Sequence, residues 1–212
     1  MYIFLTILIS YILGSIPTGL IIGKVFFKKD IRQYGSGNLG GSNSGRIFGK
    51  KVGFIVMVLD HLKAIIAIII TKSIISHTNP DLLNLSIYLS AAFTLIGHCY
   101  TCFANFKGGK AVASAFGILF ITNIYLYLIC LTLYGILLKL SKMVSLTSII
   151  IFFIATALTF IPFFRNSPLL NIDFDLYYTL TLFLISCFVV YRHKSNIERL
   201  KNGTENKITW MK

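Results

Sequence analysis

The sequence predicts an all-α integral membrane protein of about seven transmembrane helices, with the N-terminus external and the C-terminus cytoplasmic. Three observations carry that expectation. Hydrophobic residues make up 56% of the 212-residue chain, the mean hydropathy is +0.79, and apolar runs of spanning length recur along it. Only 13% of residues are charged, too few to coat a soluble globule. The same composition excludes a disordered chain, a collagen-like chain and a secreted disulfide scaffold.

A spanning helix needs about 20 mostly apolar residues, because the hydrocarbon layer is about 30 Å thick and a helix rises about 1.5 Å per residue. Residues 2–22 meet that test, although GSIPTG interrupts them at 14–19. No Lys or Arg precedes this stretch and no small-residue cleavage site follows it, so it reads as a retained helix. Residues 54–76 form the second run and carry Asp60, His61 and Lys63; residues 85–104 form the third. The run 111–140 would make about 45 Å of helix, and Asn123 near its middle marks it as a run that turns and crosses twice. Residues 144–164 and 177–191 complete the set. There is no internal repeat and no long linker, so residues 1–212 are expected to form a single integral domain. The four cysteines lie in or beside apolar stretches, without metal-site spacing, and are expected to be small buried hydrophobes.

Orientation follows from the loop cations. The first connection holds Lys24, Lys28, Lys29, Arg32, Arg46, Lys50 and Lys51, and the next, residues 77–84, holds none. The tail holds Arg192, Lys194, Arg199, Lys201, Lys207 and Lys212. Both basic segments are therefore expected inside, which demands an odd number of crossings. Seven helices then place every Lys and Arg except Lys63, Lys72 and Arg165 on the cytoplasmic side; five spans with one non-spanning segment satisfy the same parity. The formal net charge of +13 exceeds what solubility requires and points to anionic partners, among them lipid headgroups and phosphorylated molecules.

Three polar segments interrupt the apolar sequence, all on the expected cytoplasmic face. The first, YGSGNLGGSNSGR at 34–46, has five glycines in thirteen residues. Successive backbone N–H groups in such a loop can point into one concavity and bind phosphate, with Ser36, Asn38, Ser42 and Asn43 as extra donors and Arg46 as a cationic fork. A flexible helix connector would share the composition; the terminal Arg46 favours the site. The second, at 97–117, contains KGGK, in which Lys107, Gly108, Gly109 and Lys110 open an apolar helix, so helix N–H groups and two cations meet. Two lysines anchoring a helix at the headgroup boundary are the plainer alternative. The third, at 192–207, reads on as a helix from the last span, putting His193 and Asn196 on one face where they could close the site from a third side. A solvated basic tail on anionic lipid is its plainer counterpart. Asp60 and Lys63, three apart inside a span, are expected to pair and so make each other's burial tolerable.

Other chemistries fit poorly. The cytoplasmic carboxylates Asp30, Glu198 and Glu205, with Asp60 at depth, are too scattered for a two-metal phosphoryl site, so no metal is expected. An HxxxxD acyltransferase pair is missing, since Phe103 follows His98 and Ile66 follows His61 at that offset; His193 and Glu198 are five apart, on different helix faces. Nucleic-acid binding is not expected, because the aromatics lie mostly in the apolar runs.

Taken together, GSIPTG, the SGNxGxxN…R loop at 36–46, LDxxK at 59–63, GHxxxxFxxFKGGK at 97–110, VSLxS at 144–148 and RHxxNIxRLxxGTExK at 192–207 resemble the bacterial acyl-phosphate:glycerol-3-phosphate acyltransferases, the PlsY family, over nearly the whole chain. The resemblance implies a seven-helix enzyme of the cytoplasmic membrane. Such an enzyme moves a fatty acyl group from acyl phosphate to the 1-hydroxyl of glycerol 3-phosphate, releasing lysophosphatidic acid and phosphate, the first step of phospholipid synthesis. It implies no cofactor, and the chain is expected to act as a monomer among membrane lipids. By matching position, Ser36, Arg46, His193 and Asn196 are the implied catalytic residues. Gly37, Asn38, Ser42, Asn43, Lys107, Gly108, Gly109, Lys110 and Ser145 are the implied substrate and phosphate contacts, with the KGGK loop as the glycerol-phosphate cradle. Asp60, Lys63 and Glu205 are implied to be structural. The chain departs from the family pattern at Gly41, His61, Ala64, Tyr100, Thr101, Asn105, Asn206 and Ala111, the last removing one glycine from the cradle. A divergent paralogue with altered substrate use would show such departures. From a different class, a transporter or non-catalytic binder of phosphorylated small molecules would also use anion-binding loops, but it would need polar groups along a path to both faces.

Overall fold

The computed structural model describes residues 1–208, whose regular elements are α-helices, short 3₁₀ turns and one short hairpin, joined by loops. Lys212, counted above among the tail cations, lies outside the described residues. The chain packs as two compact units, residues 1–118 and 119–212.

In the first unit, α1 (Tyr2–Ser15) and α2 (Thr18–Phe27) are one apolar stretch of spanning length broken at Pro17. Proline forces its predecessor out of the helical region, and Ile16 accordingly has ψ 112°. The stretch runs past the expected end at Ile22 to Phe27, where Lys28 turns left-handed and Lys29 N–H reaches back to Gly23 O at 3.0 Å, which ends the helix. After a 3₁₀ turn at Ile31–Gln33 comes α3 (Gly41–Phe48). This helix was not anticipated, because five glycines argue against one locally. Its glycines earn their place in packing. A Cβ on Gly53 of α4 (Lys50–Thr78) would stand 2.7 Å from Gly41 O and from Gly45 Cα, so the two backbones approach as only glycine permits.

α4 extends the expected span at both ends, and α5 (Leu83–Cys99) follows. α1 and α5 are in intimate contact: a Cβ on Gly14 would collide with the Thr94 carbonyl, one on Gly97 with the Tyr11 carbonyl, and Ser10 and Ser90 share a hydroxyl bond of 2.8 Å. A 3₁₀ turn at Cys102–Ala104 leads through KGGK into α6 (Val112–Thr122).

The long run breaks at Asn123, whose Oδ1 accepts from Leu126 N–H at 2.7 Å and so caps α7 (Ile124–Ser141). α8 (Val144–Leu158) is shorter than the run to Phe164 suggested, because Pro162 opens a 3₁₀ turn and a hairpin follows, β1 (Asn166–Ser167) against β2 (Ile172–Asp173). α9 (Leu176–Arg192) is capped by Asp175 and joined to α8 through a Thr156–Ser186 bond of 3.1 Å and Thr179 donating to Thr159 O at 3.2 Å. The helix does not read straight on. It bends by 63° at His193 into α10 (Lys194–Lys201).

Among the described residues four helical stretches are long and apolar enough to cross a membrane, five if the bent α9–α10 pair is one span; α6 and α8 are shorter apolar helices. Large apolar side chains such as Phe4, Phe26, Phe54, Leu140 and Leu184 face outward, which in water would be a liability and in hydrocarbon is the requirement. Cys99 and Cys130 are buried as expected, but Cys102 and Cys187 are exposed.

Candidate active site

Two glycine-rich loops of the first unit define the site. In the first, buried Asn43 on α3 uses its whole amide on the loop: Oδ1 accepts from Ser36 N–H at 3.0 Å, and Nδ2 donates to Tyr34 O at 3.1 Å and Asn38 O at 3.0 Å. The turn it ties requires left-handed backbone at Gly35 (φ 60°) and Gly37 (φ 69°). Asn38 Oδ1 accepts from Gly40 N–H at 2.9 Å, while Ser36, Ser42 and Arg46 remain exposed. Upstream, Arg32 forks onto Asp30 at 2.6 and 2.9 Å, and this hydrogen-bonded guanidinium holds the Asp30 carboxyl at about 2. Arg32 is thereby committed to the loop's own fold.

The second loop is fixed by main chain. Gly108 N–H donates to Cys99 O and Gly109 N–H to His98 O, each at 3.0 Å, folding KGGK back on the end of α5. A Cβ on Gly108 would collide with the His98 carbonyl, and one on Gly109 with the His98 ring. Ala111 sits at φ 63°, left-handed backbone where the family pattern has glycine. Lys107 is exposed and Lys110 half-buried. Among the described residues neither Arg46 nor Lys107 has a carboxylate partner.

The two loops meet. Asn38 Nδ2 reaches Gly108 O at 3.5 Å, and Leu39 and Gly109 line one small cavity with Ile16, Pro17, Thr18, Asp60, Lys63, His98 and Thr101. In its floor the Asp60 carboxylate accepts from Lys63 Nζ at 2.9 Å and Thr18 Oγ1 at 2.8 Å, with His98 Nδ1 at 3.6 Å. Lys63 also donates to Ile16 O at 3.1 Å, and Thr101 Oγ1 donates to Ser15 O.

The second unit has its own polar clasp. Glu205 accepts from Ser145 Oγ at 2.9 Å, Asn196 Nδ2 at 2.7 Å and Arg199 Nε at 2.8 Å. Burial pushes its carboxyl up, but the bonds from Asn196, Ser145 and Arg199 outweigh that and hold it below the usual range. His193, buried at the C-cap of α9, donates from Nδ1 to Val189 O at 2.7 Å, since a carbonyl can only accept.

Three expected site residues are thus engaged inside the protein: Asn43 with its own loop and Ser145 with Glu205, both expected as substrate contacts, and Asn196, expected as catalytic, with Glu205. The residues that sequence reasoning passed over are His98 and Thr18. Their signal was present in the GH and PT of the quoted motifs, but the partners that give them meaning lie on other helices.

The family model described as glycerol-3-phosphate acyltransferase matches residues 4–203. Glycerol-3-phosphate acyltransferase of Listeria welshimeri is 42% identical over 207 residues, 96% of each chain, and that of Macrococcus caseolyticus is 41% identical over 214 residues, the whole of both. The crystal structure of PlsY, an integral membrane glycerol 3-phosphate acyltransferase, in its glycerol 3-phosphate form superposes with a TM-score of 0.85 at 29% identity, covering 99% of this chain and 96% of that one. Its lysophosphatidic acid form superposes with a TM-score of 0.83.

Proposed function

The chain belongs to the glycerol-3-phosphate acyltransferase family and is an acyltransferase of phospholipid synthesis in a multi-pass membrane protein, and from that premise we propose how it works. The acyl donor is acyl phosphate and the acceptor is the 1-hydroxyl of glycerol 3-phosphate. The whole chain serves as one catalytic domain, a monomer in the cytoplasmic membrane that crosses it seven times with the N-terminus outside and the loops that hold the substrates inside. The observation that carries this reading is the meeting of the two glycine-rich loops, Asn38 against Gly108, with Arg46 and Lys107 exposed beside them.

An acyl phosphate is a mixed anhydride with a good leaving group. The enzyme has to hold two phosphate-bearing molecules side by side and aim a hydroxyl at the carbonyl carbon, which is chiefly a matter of positioning. Arg46 offers a bidentate fork to one phosphate. The KGGK loop takes the glycerol phosphate through Lys107, Lys110 and the start of α6. Ser36 contributes a hydroxyl from the tied first loop, and the same donors stabilise the tetrahedral oxyanion. The acceptor oxygen bonds to the acyl carbon, the carbon–oxygen bond to phosphate breaks, and the hydroxyl proton leaves on phosphate, so that the products are lysophosphatidic acid and inorganic phosphate. The imidazole of His193, which the family resemblance assigns to catalysis, is the protein alternative for that proton. Asn196 and Glu205 hold the segment that carries it.

Purified protein mixed with palmitoyl phosphate and glycerol 3-phosphate tests the reading. Phosphate release that needs both substrates and is lost in Arg46→Ala supports it, and binding of both without release overturns it in favour of a phosphorylated-ligand binder. His193→Gln separates the two proton acceptors: near-normal turnover leaves the proton to phosphate, and collapse with intact fold assigns it to the imidazole.

A further inference from the structure

Under the KGGK loop lies a buried polar cluster that the acyl-transfer chemistry leaves without a task. Asp60, Lys63 and His98 are 1%, 6% and 7% exposed, and intramembrane ionisable groups are costly enough that an apolar filling would serve mere stability better. Part of the cluster has a structural explanation. Lys63 satisfies Asp60 and also reaches the Ile16 carbonyl at the Pro17 break, and Thr18 supplies a second donor to the carboxylate. That closes the account for α1, α2 and α4 without His98.

His98 faces the other way as well. Its Nδ1 lies 3.6 Å from Asp60 Oδ1 and 3.4 Å from Ser114 Oγ, in the first turn of the helix that KGGK opens. Its carbonyl accepts Gly109 N–H at 3.0 Å, and its Nε2 edge lies against Gly109 Cα so closely that no side chain fits there. One residue thus touches the cradle by ring, by main chain and through Ser114, while Asp60 holds the ring from behind. Covered by Gly109, the ring is not placed to exchange a proton with substrate.

We infer that His98 and Asp60 are positioning residues: the carboxylate orients the imidazole, and the imidazole sets the Gly108–Gly109 turn and the first turn of α6 at the geometry that receives the phosphate of glycerol 3-phosphate. This rests on the assignment of KGGK as the glycerol-phosphate cradle. Acyl phosphate, held elsewhere, feels the change little.

Steady-state kinetics with each substrate varied separately decides it. In His98→Leu the KM for glycerol 3-phosphate rises by about tenfold or more, the scale of a small misplacement of a binding group, with the KM for palmitoyl phosphate unchanged. His98→Asn, whose amide nitrogen stands near the Nδ1 position and can still donate to Asp60, restores most of the loss. Equal rises in both KM values, a fall in kcat alone, or no rescue by Asn overturns the inference. Should His98→Leu fail to give monodisperse protein, the Asn and Gln variants put the same question, since Gln places its amide at the Nε2 end, away from Asp60. Lys107→Ala and Lys110→Ala report on the cradle itself: if neither moves the KM for glycerol 3-phosphate, the underlying assignment fails, and if they move it while His98 variants do not, only the positioning role fails.

Discussion

The two glycine-rich loops look alike in sequence and are locked by opposite means. The first is tied by one side chain, Asn43, whose buried amide makes three bonds to main chain at Ser36, Tyr34 and Asn38. The second is tied by main chain to main chain, Gly108 to Cys99 and Gly109 to His98, with the glycines needed because α5 and the His98 ring leave no volume for a Cβ. A loop with one central tie loses its shape when that residue changes. A loop pressed on a helix end loses it when any atom is inserted. Glycine thus serves torsional freedom in the first, at Gly35 and Gly37, and close approach in the second.

The contrast is broken most severely by Asn43→Ala. It removes three hydrogen bonds to loop main chain, each worth about 0.5–1.5 kcal/mol, and the loop re-forms elsewhere. Turnover should fall by about a hundredfold or more, as for a misplaced catalytic group, while glycerol 3-phosphate still binds through the untouched second loop. Equilibrium binding beside kcat distinguishes this from unfolding.

Gly108→Ala is the matching insertion. Its Cβ meets the His98 carbonyl, which as helix backbone cannot step aside. The loop should be pushed off α5, with a KM for glycerol 3-phosphate raised by about tenfold or more and a smaller effect on kcat. An equal loss in both parameters would show that the two loops do not divide their work.

The Glu205 clasp provides a third probe, away from both loops. Glu205→Gln loses charge-assisted bonds to Arg199, Asn196 and Ser145, at a cost of about 1–3 kcal/mol, read as a lower melting temperature in detergent. Because the folded carboxyl is held below its ordinary value, its contribution is complete above the unfolded pKa of about 4.3 and lost as the pH falls toward the folded one. The gap between wild type and variant should be widest near neutrality and close on acidification below about pH 4.

The smallest effect is a gain. Ala111 occupies left-handed backbone at φ 63°, which costs a non-glycine residue about 1–2 kcal/mol. Ala111→Gly should raise the melting temperature by a few degrees, about what 1 kcal/mol gives in a chain of this size, and leave the KM for glycerol 3-phosphate unchanged or lower.

Much of the architecture was legible residue by residue. The apolar runs marked the helices, Pro17 the first break and Asn123 the turn within the longest run, because proline geometry and an Asn cap act locally. Asp60 and Lys63 were readable as a pair from their spacing. The site was legible in kind, with Arg46 and Lys107 exposed and Lys110 half-buried beside glycine-rich turns, and less so in detail. Asn43 looked like a phosphate donor and is tied to its own loop, Ser145 looked like a substrate contact and Asn196 like a catalytic residue while both bond Glu205, and a straight helix through His193 is bent by 63°. α3 was invisible because its glycines oppose a helix on their own and are paid back only by Gly53 across the contact.

What the sequence determined by itself is the solvent and the chemistry: a lipid-embedded helical chain carrying cationic, glycine-rich turns suited to phosphate. Those follow from composition and from patterns within a few residues, which every local window contains. Only the tertiary structure decided which polar side chains face a ligand and which are spent on other protein atoms. A buried amide or imidazole takes whatever donor or acceptor the neighbouring helix presents, and that neighbour is named nowhere in the residues beside it.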